Sequence, residues 1–137
     1  MTVTDRRRRV RRLQRYLLNP PMRVAVRLGL VPGHVLLETT GRRTGRRRRS
    51  VVGAGIQGRD VWVVAEQGPH AGWVANLIAQ PRVRVFTGGR WRAGTARLVA
   101  DDDPQARLDG FGHPSHARAV RRFGTDLRTV LIELDGP

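Results

Sequence analysis

The stretch HVLLETTGRRTGRRRRSVVGAGI, residues 34 to 56, decides how the rest of the chain is read. Val35, Leu36, Leu37 and Thr39 form a short β-prone run that closes at Gly41. Arg48 to Ile56 forms a second such run, so the segment predicts two strands joined by a bend that Gly41 and Gly45 bound. Gln57-Gly58-Arg59-Asp60 then reads as a tight turn into Val61-Trp62-Val63-Val64-Ala65, which makes a three-stranded antiparallel meander.

Downstream, Trp73, Leu77 and Ile78 share one face of a helix that Pro81 ends. Arg82 to Thr87 and Arg90 to Val99 are strands around Gly88-Gly89, a pair suited to the positive φ angles of a hairpin turn. Asp101-Asp102-Asp103-Pro104 supplies an N-cap and a first-turn proline for a short helix, a further helix covers Ser115 to Arg122, and Leu127 to Leu134 is the last strand. Upstream, Asp5 to Leu18 is a basic amphipathic helix with Val10, Leu13 and Leu17 at helical spacing, and a second helix runs from Met22 to Leu30. The expected division is a basic helix over 1–18 and a barrel domain over 19–137. The fold class is mainly β (α+β), with six antiparallel strands able to close into a barrel and so lose their exposed edges.

Composition narrows the chemistry. The length of 137 residues suits one domain, and the absence of cysteine removes disulfides, thiolate metal sites and cysteine nucleophiles. All 26 basic residues are arginine against 11 acidic residues, a net charge of +15. Arginine standing in for lysine accounts for many of these positions, but the excess attracts anions: nucleic acid, acidic lipid, or a phosphate- or carboxylate-bearing small molecule. No apolar run reaches the ~20 residues of a membrane span and no secretory signal core is present, so a soluble, cytoplasmic protein is expected.

The bend itself carries the sharpest chemistry. Backbone amides between two glycines can form a concave anion site, and Arg43 and Arg48 beside it can clamp phosphate or carboxylate bidentately. The same pattern suits an ordinary hairpin whose arginines are solvated, and the residues alone leave both readings open.

The run LLETTGRRTGR at 36 to 46 closely resembles the signature of the deazaflavin-dependent nitroreductase and quinone reductase family. Asn19-Pro20, Val63-Val64-Ala65, Trp73, Asn76-Leu77, Gln80-Pro81-Arg82-Val83 and the C-terminal Gly124-Thr125-Asp126-Leu127 are similar to further family features, in order along the chain. The resemblance implies a split β-barrel of the FMN-binding type. It also implies a reductase passing hydride from reduced coenzyme F-420, rather than FMN, to a quinone, nitroaromatic or other electron-poor small molecule. The coenzyme then does the hard chemistry and the protein supplies orientation and anion contacts, so no catalytic side chain is assigned. By the same resemblance Arg42, Arg43, Thr44 and Gly45, with Arg48, hold phosphate. Ser50, Val51 and Val52 lie beside the deazaflavin ring, Ala65, Glu66, Gln67 and Gly68 form its other side, and Trp73 and Asn76 close the pocket. The chain departs from the family pattern at Val51, where proline is usual, at Glu66 and Gln67, where a small residue and lysine are common, and at Val74, where tyrosine often stands.

Two other classes remain open from the sequence. One is a deazaflavin-binding protein without turnover. The other is a basic protein of membrane surfaces or nucleic acid, with peripheral membrane contact through the N-terminal helix and nucleic acid the less favoured partner. His113 and His116, with Pro114 between them and no carboxylate or thiolate to complete a ligand set, give no metal site, and His70 reads as a loop residue. Trp62 and Trp91 read as barrel-wall residues, and a monomer or homodimer is expected.

Overall fold

The computed structural model describes residues 33–112, 114–124 and 126–136. Both expected N-terminal helices, and with them the 1–18 boundary, lie outside the described residues. In chain order the elements are β1 His34–Thr40, β2 Arg47–Gln57, β3 Asp60–Ala65, a 3₁₀ turn Gly68–His70, α1 Gly72–Ala79, β4 Arg82–Thr87, β5 Arg90–Leu98, α2 Pro104–Gly110, α3 Pro114–Phe123 and β6 Arg128–Leu134.

The strands close in the order β1-β2-β3-β6-β5-β4, every pairing antiparallel. Closure is made by β1 on β4, through Leu36 opposite Phe86, Leu37 opposite Val85 and Glu38 opposite Arg84. Gly58 at φ +60 and Gly88-Gly89 at φ +60 and +79 make the two tight hairpins, where a side chain would be strained.

Strand alternation sorts side chains to the two faces of the wall. Val35, Leu37, Val52, Ala54, Val61 and Val63 are among those that fill the interior, and Val74 and Leu77 of α1 join that core. Ile78 does not share that burial. It is 53% exposed, because one residue of helix turns it about 100° away from Leu77 and off the Ala71, Val74, Leu77 ridge. On the outer wall, Val64 packs with Leu108 of α2 and with Ala117 and Val120 of α3. Asp103 caps α2, its Oδ1 accepting from the N–H groups of Gln105 (3.0 Å) and Ala106 (3.3 Å). Gly53 and Gly55 give the room that α2 and α3 need, since a Cβ at either would meet the rings of His116 and Phe111 respectively.

Candidate functional site

The bend between β1 and β2 can be followed donor by donor. The Gly41 N–H donates to the Arg46 carbonyl (2.7 Å), and the Gly45 N–H, at a φ of +71, donates to the Gly41 carbonyl (2.8 Å). The Arg46 N–H donates to Thr44 Oγ1 (3.2 Å) and the Arg42 N–H to Asn76 Oδ1 (3.2 Å). Arg43 and Thr44 are then the bend residues whose N–H groups have no partner among the described residues. Two consecutive free amides are the donor geometry that a small oxyanion needs.

These residues line a cleft of about 550 Å³ whose floor is the bend and the first half of β2, and whose opposite wall is Gly72, Trp73 and Asn76 of α1. Of the residues that the sequence singled out, Arg42, Arg43, Thr44, Arg48, Ser50, Trp73 and Asn76 come together here. Gly45 lies within the bend between them. The guanidinium groups of Arg43 and Arg48 have no acidic or hydrogen-bonding partner among the described residues, so both retain their full donor set. Arg42 is different, because its Nη1 also donates to Asn76 Oδ1 (2.9 Å). Among the described residues that line the cleft there is no carboxylate and no histidine.

Glu38 is the site residue that the sequence reading passed over. It is 5% exposed on the outer wall of β1, and its carboxylate accepts from Arg84 Nε (2.8 Å), Arg84 Nη2 (3.0 Å) and Arg49 Nε (3.1 Å), with Arg47 Nε at 3.8 Å. Burial pushes this carboxyl up, but the hydrogen bonds and charges of Arg84 and Arg49 outweigh it and leave the group below the ordinary glutamate range. Arg49 and Arg84 also lie over the Trp91 ring, 4.7 and 5.0 Å from its centroid. Arg47 and Arg49 border the cleft, so Glu38 fixes part of its rim. The signal was available: a bend closing at Thr40 opposite Arg47 places Glu38 opposite Arg49.

The remaining predicted residues do not line this cleft. Val52 faces the barrel interior, and Val51, by alternation, faces the other side of the wall, opposite Leu36. Ala65 is core at the end of β3. Gly68, at φ +50, sits so near Asp126 and Arg128 that a Cβ would lie 2.9 Å from Asp126 Oδ2. Glu66 precedes it, its carboxyl pushed up by burial, and its carbonyl accepts the Asp126 N–H (3.1 Å). Gln67 is fully buried, and both polar atoms of its amide lack a partner among the described residues. A second cleft, of about 400 Å³, lies on the outer wall between the β2–β3 hairpin and α2, where Arg107 stacks 3.6 Å over Trp62; it contains none of the predicted residues.

The family model described as F-420H(2)-dependent quinone reductase matches residues 8–135. No curated protein matches the chain. Among solved structures, the F-420-H(2)-dependent reductase FDR-A is 22% identical with a TM-score of 0.59, over 74% of this chain and 95% of that one. A protein solved as a domain-swapped dimer is 20% identical with a TM-score of 0.59, over 96% and 100%. HutZ, a heme storage protein from Vibrio cholerae, is 15% identical with a TM-score of 0.56, over 88% and 92%. At these identities the structural likenesses establish the split-barrel fold.

Proposed function

The chain belongs to the F-420H(2)-dependent quinone reductase family, whose cofactor is coenzyme F-420, and from that premise we propose that it passes hydride from the reduced coenzyme to a quinone, nitroaromatic or other electron-poor small molecule. The observation that supports the reading is that the amides of Arg43 and Thr44 and the guanidinium groups of Arg43 and Arg48 lie side by side without a partner among the described residues. That donor set fits a phosphate: two N–H groups in sequence and two planar forks, with no carboxylate among the described lining residues to compete.

When bound, the reduced coenzyme supplies the hydride. The chain's own part is to hold the phosphate at the bend, with Gly45 keeping the left-handed conformation that lets the bend close, and to offer Trp73 and Ser50 along the same cleft. Among the cleft's described lining residues there is no acidic side chain to supply the proton that completes a reduced quinone. Ser50 and Thr44 are the lining hydroxyls that can relay it.

The test is direct titration of the full chain with coenzyme F-420, followed by its fluorescence. Arg43→Ala with Arg48→Ala should weaken binding by at least about a hundredfold, from two charge-assisted contacts at about 1.5 kcal/mol each. Steady oxidation of the reduced coenzyme by menadione should be seen with the wild type. Unchanged affinity in the double variant refutes the proposed phosphate site, and binding without acceptor-dependent oxidation refutes the reductase assignment.

A further inference from the structure

We propose that Asn76 is a positioning residue, which shapes the anion site through Arg42 and does so without being a ligand itself. The inference rests on reading the bend as the phosphate site. Asn76 is buried on α1, and one side chain ties together points 34 and 37 residues away in sequence. Its Oδ1 accepts both the Arg42 backbone N–H (3.2 Å) and Arg42 Nη1 (2.9 Å), and its Nδ2 donates to the buried hydroxyl of Thr39 (3.3 Å). The acceptor capacity of Oδ1 is thereby filled by a single residue.

Two consequences follow for the bend. The Arg42 amide, the first donor inside Gly41, is taken out of the set available to a ligand, which leaves the consecutive pair at Arg43 and Thr44. The Arg42 guanidinium is held against α1, so of the neighbouring arginines 42 and 43 the first is structural and the second binds. The sequence alone gives the two identical side chains the same role. Only the contact from α1 separates them.

The experiment compares Asn76→Leu, Asn76→Asp, Arg42→Ala and Arg43→Ala in the full chain. Each is titrated with coenzyme F-420, and backbone amides are followed by NMR with and without inorganic pyrophosphate. Asn76→Asp keeps an acceptor oxygen for Arg42 but adds a carboxylate to the cleft lining, so it is read by the Arg42 amide rather than by coenzyme affinity. Asn76→Leu should weaken binding about tenfold, the loss expected when a hydrogen bond that orders the site is removed. Arg42→Ala should cost about threefold or less and Arg43→Ala at least about tenfold. The Arg42 amide should be protected from hydrogen exchange in the wild type and in Asn76→Asp, and exposed in Asn76→Leu.

A role confined to holding α1 on the barrel would lower Tm but leave the pyrophosphate-induced shifts at Arg43 and Thr44 intact, and that result overturns the inference. So does an Arg42 amide that stays protected from exchange in Asn76→Leu, which would show that Asn76 does not hold it. If Asn76→Leu does not fold, the Asp variant and the ranking of Arg42→Ala against Arg43→Ala decide the matter. A wild type that binds neither coenzyme nor pyrophosphate refutes the functional reading as a whole, whereas normal wild-type binding with an unaffected Leu variant refutes this inference alone.

Discussion

Replacing Glu38 by glutamine should destabilise the barrel by about 2 kcal/mol at neutral pH, and the size of that loss follows from the cluster's geometry. The carboxylate is 5% exposed and accepts three guanidinium N–H bonds, from Arg84 at 2.8 and 3.0 Å and from Arg49 at 3.1 Å. Charge-assisted bonds contribute about 1.5–3 kcal/mol each, but taking the carboxylate out of water costs several kcal/mol. The partners reduce the net further. Arg49 and Arg84 are 35% and 34% exposed, so water screens them and can solvate them once Glu38 is neutral. What remains for Glu38→Gln is the mismatch of an NH₂ group facing guanidinium donors, hence about 2 kcal/mol, or a fall in Tm of about 8 °C for a chain of this size. The pH dependence is the sharper test. Because the folded carboxyl titrates below its unfolded range, its contribution is complete above about pH 4.3 and fades as pH falls through the folded value. The difference between wild type and variant in urea unfolding should therefore be smaller at pH 3 than at pH 7. A difference below about 0.5 kcal/mol at pH 7, or one that persists undiminished at pH 3, refutes the reasoning.

Glu66 predicts the opposite sign. Burial raises its folded pKa, so ionisation penalises the native state, and the penalty is absent below about pH 4.3 and complete above the folded value. Glu66→Gln should then stabilise by on the order of 1 kcal/mol at pH 8 and change nothing at pH 4, as read by thermal melts across that range. Gly53→Ala should cost about 1–3 kcal/mol in urea unfolding, because its methyl would enter the His116 ring, and the cost should shrink in a His116→Ala background. Gly41→Ala places a methyl 2.9 Å from Thr44 Oγ1 and 3.1 Å from the Arg46 carbonyl, which displaces the bend while leaving the barrel core untouched. Coenzyme affinity should fall about tenfold with little change in Tm, and a lowered Tm with unchanged affinity would contradict it.

The barrel was legible because its signals are local. The 34–56 hairpin, Gly58, Gly88-Gly89 and the Asp103-Pro104 helix start are each decided by neighbouring residues, and the strands fall within a residue or two of the periodic runs. Of the candidate site, what one segment supplies falls along one cleft: Arg43, Thr44, Arg48 and Ser50 line it with Trp73 and Asn76. Non-local partners were not legible. Arg84 reaches Glu38 across 46 residues and Asn76 reaches Arg42 across 34, and no periodicity records either contact. Strand alternation likewise separates Val51 from Ser50 and Val52, although the three are consecutive.

Among the described residues the arginines differ in how their charge is compensated, and the bend is where uncompensated ones meet unpartnered amides. Asp102, Asp109, Asp126, Glu133 and Asp135 each pair with an arginine, respectively 107, 121, 128, 97 and 82, which offsets those five charges, while Arg90 and Arg92 of β5 and Arg118 of α3 have no carboxylate partner among the described residues. At the bend the nearby carboxylate, Glu38, is spent on the outer wall, where it holds Arg84, Arg49 and Arg47. Arg42 is held by a neutral amide, which fixes its position without cancelling its charge. Arg43 and Arg48 have no carboxylate partner among the described residues and stand beside two free amides, so charge and ordered donors coincide at the bend. Salt should therefore weaken anion binding at the bend less steeply than the net charge of +15 implies, because few of those charges face the ligand.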